Sequence, residues 1–296
     1  IIKRIENRVA KDKYLNPAQL NDLLRDEIQQ LLAENNSNDF ENFEYGQQKP
    51  YVIMVVGVNG VGKTTTAINL SAGLALKNFK VLLIDLDPQG NASTGIGVEQ
   101  NDREKSVYDL LIKKNNFLEC VKKTKIENLN LIPANAELSG LESEIANDPQ
   151  KAFLLKKIID DYFDGPSIEK FTHVIIDCPP SLGELTRNAL SASDGALIVT
   201  EPGFFALRGA EQALEAVEVI RSSTNPLMKV DAIIINKARP SVAEQRQRIE
   251  ELRSNYGALV SQTLVPERNA IQQAEAAGMP IHAWESPAGI ELAKTF

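Results

Sequence analysis

Apolar residues at 20, 23, 24, 28, 31 and 32 recur at three- and four-residue spacing through residues 17–33, with Asn16 placed to cap and Pro17 at the first helical position. This spacing predicts an amphipathic helix. Residues 34–49 are polar and without period, so they read as a linker. The boundary is set near 47, giving a helical N-terminal segment over 1–47 and one domain over 48–296. From Pro50 the pattern changes to short β-branched runs at 51–56, 80–86, 129–133, 172–177, 195–200, 230–236 and 259–265. Longer amphipathic stretches fall between them, near 63–77, 151–162, 183–192, 208–222, 241–255 and 268–277. Nearly continuous apolar strands alternating with helices predict an α/β fold, a mostly parallel sheet covered by helices on both faces.

Composition narrows the class. The chain has 296 residues, 43% hydrophobic and 24% charged, which excludes collagen-like and wholly disordered chains. No apolar run approaches the roughly 18 residues that cross a bilayer, so no transmembrane segment is expected. The chain opens on Ile1 without a secretory pattern, which suggests a fragment of a cytoplasmic protein. Cys120 and Cys178 are the two cysteines, in apolar contexts that suit reduced thiols and offer no disulfide framework. A net charge of -8 argues against a uniformly basic nucleic-acid binder but leaves room for a basic patch.

The sharpest chemical signal is Gly57-Val58-Asn59-Gly60-Val61-Gly62-Lys63-Thr64-Thr65, which fits G-x-x-x-x-G-K-[ST] between an apolar strand and an amphipathic helix. Such a loop turns successive backbone N–H groups toward phosphates. Lys63 is expected to reach the β/γ oxygens, and the Thr64 hydroxyl to bind Mg²⁺. Two acids, Asp85 and Asp87, end the next apolar run and face one side by strand alternation. Asp87 is the sharper candidate for positioning an attacking water or holding metal-bound water; capping the following turn is the alternative. Asp177 ends the run from His173 and has the form of a second metal-site acid.

Lys80 to Gly95, Ile175 to Gly183 and Glu201 to Gly209 together resemble the ParA/Soj-type partitioning ATPases over roughly 66–296. That resemblance implies a P-loop NTPase fold, ATP and Mg²⁺ as cofactors, and an ATP-dependent homodimer. It also implies nonspecific DNA and a ParB-like activating partner as further ligands, and a cytoplasmic, nucleoid-associated protein. Residues 1–66, through the leucine-rich helix to Thr66, instead resemble the N-terminal helices and phosphate loop of the signal-recognition-particle receptor, the FtsY-type GTPase. The expectation is a chain joined at Gly62 to Thr66. Its alternatives are a membrane-targeting GTPase, or a chimera that binds nucleotide and does neither task.

The partitioning family carries a lysine where this loop has Val58, a group implied to reach across the dimer to the γ-phosphate. Its absence predicts slow hydrolysis. In the resembled ATPases Asn236 and the stretch Val265-Pro266-Glu267-Arg268 would flank the base. Asn236 has both a donor and an acceptor for an adenine edge, and the receptor-type Thr-Lys-x-Asp guanine pattern is missing. For DNA phosphates, Lys237, Arg239, Arg246, Arg248 and Arg253 crowd one region, with Arg239 and Arg246 favoured. Interleaved Glu244, Glu250 and Glu251 leave a solvated ion-pair face open as the alternative. His173 and His282 lack partners at metal spacing and read as structural, and neither cysteine is marked as a ligand of a dimer-bridging iron–sulfur cluster.

Overall fold

The computed structural model describes residues 50–165, 171–181 and 183–296. The expected N-terminal helix, the linker and the boundary near 47 lie outside the described residues. Eight strands form one sheet: β1 (Tyr51–Val56), β2 (Val81–Asp85), β3 (Lys122–Lys123), β4 (Leu129–Ile132), β5 (His173–Asp177), β6 (Gly195–Thr200), β7 (Lys229–Ala238) and β8 (Val260–Pro266). Their order is β3-β4-β2-β5-β1-β6-β7-β8. Every pairing is parallel except β3 with β4.

The helices are α1 (Lys63–Leu76), α2 (Asn91–Gly95), α3 (Val107–Leu111), α4 (Phe117–Cys120), α5 (Leu141–Glu144), α6 (Leu154–Asp164), α7 (Glu184–Ala192), α8 (Ala206–Arg221), α9 (Ala243–Tyr256), α10 (Asn269–Ala276) and α11 (Pro287–Ala293). They cover both faces. On one, Met54, Ile84, Ile176 and Ile198 pack with Leu155 of α6, Leu185 of α7, Ala210 of α8 and Leu252 of α9. On the other, Val55, Leu83, Ile175 and Val199 pack with Ala67, Ile68 and Ala72 of α1. Alternate residues of one strand therefore feed two cores, as strand periodicity requires. A third cluster, from Val265 through Ile271 and Ala274 to Leu292, fastens α10 and α11 beside α1.

From Pro50 onward the expected strands and helices are present among the described residues, with ends shifted by a few residues. The added elements are short. α3 and α4 each begin with a reciprocal cap, Ser106 with Asp109 and Asn116 with Glu119, which satisfies amide groups at their first turn. Strand β3 is two lysines on a sheet edge, a position where charge blocks further strand addition. Parallel pairing has one consequence for chemistry: the C-terminal ends of β1, β2, β5, β7 and β8 all open on the same edge of the sheet. Ligand sites of open α/β sheets form at that edge.

Candidate functional site

At that edge lies a cavity of about 550 Å³, within the range of small-ligand sites. Its wall begins with the turn after β1. Gly60 and Gly62 have φ of 81° and 86°, the left-handed region that only glycine enters without strain. Gly57 is required for a different reason, since a Cβ there would lie 2.3 Å from the Val199 carbonyl on β6. The turn delivers the chain into α1 with Gly62 at the cap and no side chain capping the first amides. Those N–H groups and the positive end of the helix dipole are left for an anion.

Neighbouring strands brace this loop. Asn236, buried at the end of β7, donates its amide to the Val61 carbonyl at 2.8 Å. The next residue, Lys237, donates its ammonium to the Gly60 carbonyl. On α10, Glu275 accepts the Thr65 hydroxyl. Burial pushes the Glu275 carboxyl above its usual range, opposed by that hydroxyl and by the charge of Lys237.

The acids separate into different roles. Asp177 is fully buried and accepts the Thr64 hydroxyl at 2.8 Å through Oδ2. Its Oδ1 is buried without a hydrogen-bond partner, an arrangement that costs free energy unless a cation or donor completes it. With its proton committed to Asp177, the Thr64 oxygen keeps lone pairs for a cation. Burial raises the Asp177 carboxyl, and Asp85 beside it in the paired strand adds to the shift, while Thr64 and Lys63 oppose it.

Asp85 and Asp87 were expected to emerge together, and they do not. β2 stops at Asp85, whose Oδ2 is held by the Ser93 hydroxyl and amide at 2.7 and 2.8 Å. Burial raises its carboxyl and the Ser93 bonds lower it. Asp87 lies on the cavity wall, with Oδ1 accepting the Gln89 amide at 3.0 Å. It serves the local turn and still faces the cavity.

Of the other expected residues, Asn59, Gly60, Gly62, Lys63, Thr64, Thr65, Asn236 and Pro266 line the cavity. Gly57, Val61 and Asp177 stand buried behind it. Among the described residues no group of three or more His, Cys, Asp or Glu side chains could hold a metal by itself. The orphaned Asp177 oxygen beside Thr64 does suit Mg²⁺, which binds few protein ligands and completes its shell with phosphates and water. Asn236 spends one amide hydrogen on the loop, bracing Val61, while it also faces the cavity.

Each basic residue of the expected DNA cluster has a local partner. Lys237 belongs to the nucleotide-sized cavity. Arg239 pairs with Glu267, itself on the cavity wall. Arg246 donates to the Pro240 and Ser241 carbonyls at 3.0 and 3.4 Å, and Arg253 to the Gln262 carbonyl at 3.1 Å. Arg248 meets Glu251 at 2.7 Å and stands 5.7 Å over the Phe204 ring. Glu275 and Lys237 are site residues that spacing did not assign to the phosphate loop. Both are polar residues brought to the loop from more than half the chain away, and no local pattern marks them.

A family model described as "AAA domain" (AAA_31) matches residues 52–230. The chain is 37% identical over 225 residues to the chromosome partitioning protein ParA of Caulobacter vibrioides, covering 75% of this chain and 82% of the relative. It is 36% identical over 222 residues to the sporulation initiation inhibitor protein Soj of Bacillus subtilis, covering 75% and 86%. A structure of cobyrinic acid a,c-diamide synthase from Mycobacterium smegmatis, with bound ATP analog and magnesium, superposes with a TM-score of 0.71 at 27% identity, covering 83% of this chain and 92% of that one. The family match starts at residue 52, upstream of the phosphate loop, and runs through it. The likeness of the N-terminal segment to the FtsY-type receptor gains no support, and that segment lies outside the described residues. The loop between β1 and α1, the α/β sheet that presents it and these matches together make the chain a member of the ParA/Soj-type AAA_31 family of P-loop ATPases.

Proposed function

We propose that this protein is a Mg²⁺-ATP-dependent switch of the partitioning type, which pairs with a second copy when ATP is bound and binds nonspecific DNA in that state. A ParB-like partner would trigger hydrolysis, and the protein would work in the cytoplasm on the nucleoid. The observation that carries the reading is the loop from Gly57 to Thr65 with Thr64 tied to the half-satisfied Asp177. Bound Mg²⁺ would neutralise charge on the phosphates. The loop amides and Lys63 would hold the phosphate oxygens, and the hydroxyl of Thr64, oriented by Asp177, would face the cation. Asp87 would position water from the cavity side. Pro266 and Asn236 would flank adenine.

The apolar surface beside the cavity supports pairing of two copies. Val58, Phe204 and Phe205 are 37%, 72% and 66% exposed, and a Cβ at Gly209 on α8 would lie 3.4 Å from Val58. Slow hydrolysis follows from Val58 at the position where relatives would carry a lysine. Arg239 and Arg246 would contact DNA phosphates once freed from their local partners.

Light scattering of the full chain with ATP, with ADP and without nucleotide tests the switch. A dimer only with ATP supports it, and a mass that ignores nucleotide contradicts it. Tighter binding of GTP than ATP would overturn the adenine assignment.

A further inference from the structure

Lys237 is anchored at the phosphate loop through its side chain. It follows Asn236 at the end of β7 in a left-handed conformation, φ 53°, which costs a side-chain-bearing residue roughly 1–2 kcal/mol. Such strain persists where surrounding structure over-determines it, often at a ligand site. The result is that one strand end delivers two consecutive side chains to the phosphate loop: Asn236 to the Val61 carbonyl and Lys237 to the Gly60 carbonyl. Lys237 also lines the cavity with Gly60, Lys63 and Thr65.

An ammonium has three N–H donors. One is engaged by Gly60, a neutral carbonyl, so the positive charge is not cancelled there. Glu275 is a carboxylate that feels this charge, and it already accepts the Thr65 hydroxyl. A cation held on the rim of an anion-binding loop, with donors to spare and an orientation fixed from behind, fits a polyphosphate.

We propose that Lys237 is a second phosphate-binding lysine of this site, acting from the same chain as Lys63 and bonding a β- or γ-phosphate oxygen of bound nucleotide. This rests on the nucleotide-binding reading above. Lys237 holds the crown of the loop through Gly60 in the free protein and donates its remaining hydrogens to the ligand when phosphate arrives. Losing a hydrogen bond between charged groups costs roughly 10- to 100-fold in affinity. The loss is confined to ligands that carry the outer phosphates.

The test is displacement of a fluorescent ADP analogue by ATP, ADP and AMP in the presence of Mg²⁺, for the wild-type chain, Lys237→Asn and Lys237→Arg. Asn tolerates the left-handed backbone, so melting temperature without ligand should stay near wild type. Lys237→Gly serves in its place if the Asn chain is unstable. The expected result is a loss of at least about tenfold for ATP with less than about threefold for AMP, and recovery of most of the ATP affinity by Lys237→Arg. Equal losses for ATP and AMP, or an ATP loss below tenfold, would overturn the assignment and leave Lys237 a brace of Gly60. A wild-type chain that binds no Mg²⁺-ATP would overturn the nucleotide reading itself.

Discussion

Replacing Gly62 with alanine separates the loop's backbone requirement from its packing requirement. At φ 86° the left-handed backbone costs alanine roughly 1–2 kcal/mol. The new Cβ would also stand 2.1 Å from the Asn236 amide nitrogen, too close to coexist. Asn236 is buried, so driving its amide from the Val61 carbonyl leaves buried groups unpaired, worth roughly another 1–3 kcal/mol. The free protein should lose about 2–5 kcal/mol, seen as a fall in melting temperature on the order of 10 °C. Gly60→Ala is the control: its φ of 81° is similar, and nothing lies within 4 Å of its Cβ. It should lose only the backbone part. The pair Gly62→Ala and Asn236→Ala should be non-additive, because removing the amide removes the clash, and the double variant should fall short of the summed losses by at least about 1 kcal/mol. Strict additivity in chemical denaturation, or equal losses for both glycines, would refute the locked contact between Asn236 and the loop.

Three further outcomes follow from the same geometry. Asp87→Ala should lower ATP turnover by about 100-fold or more while changing ATP affinity little, measured by single-turnover hydrolysis and equilibrium binding; equal losses in both would leave Asp87 a turn cap for Gln89. Burial raises the Asp231 carboxyl to about 6 from an ordinary 3.8, with Tyr51 and Lys229 opposing the shift and Asp194 adding to it. The folded state therefore holds this proton more tightly than the unfolded chain, so stability is highest below pH 4 for this group and is lost as pH rises toward and past 6, by up to about 3 kcal/mol; Asp231→Asn should raise the melting temperature at pH 7.5 more than at pH 4, and a pH-independent difference would contradict this. Changing Val58→Lys together with Asn59→Gly should raise DNA-stimulated turnover, measured as phosphate release with and without DNA; no change would mean that position 58 does not limit this chain.

How far the sequence could be read depended on the range of the interactions. The β1 and α1 patterns flank the glycine loop within a few residues, so the loop and its helix were legible from spacing. Strand alternation placed Asp85 and Asp87 on one side, but it holds only inside a strand. β2 ends at Asp85, and Ser93 eight residues later captures that carboxylate. The short helices α3 and α4 span about one turn each and so show no period, although Ser106 with Asp109 and Asn116 with Glu119 carry a capping signal. Lys237 was read with the neighbouring arginines because charge clusters in sequence look like charge clusters in space. The end of a parallel strand sent it instead to Gly60, 177 positions away in the chain. Glu275, paired with a hydroxyl 210 positions distant, had no local signal at all.

The central claim is that Thr64 and the half-satisfied Asp177 prepare a cation site beside a phosphate cradle. Calorimetric titration of ATP, with Mg²⁺ and with chelator, into the wild-type chain and Asp177→Asn tests it directly. The account predicts that Mg²⁺ strengthens binding to the wild type and that this gain largely disappears in the variant, with binding in chelator unchanged. A Mg²⁺ gain that is the same in both chains would contradict it.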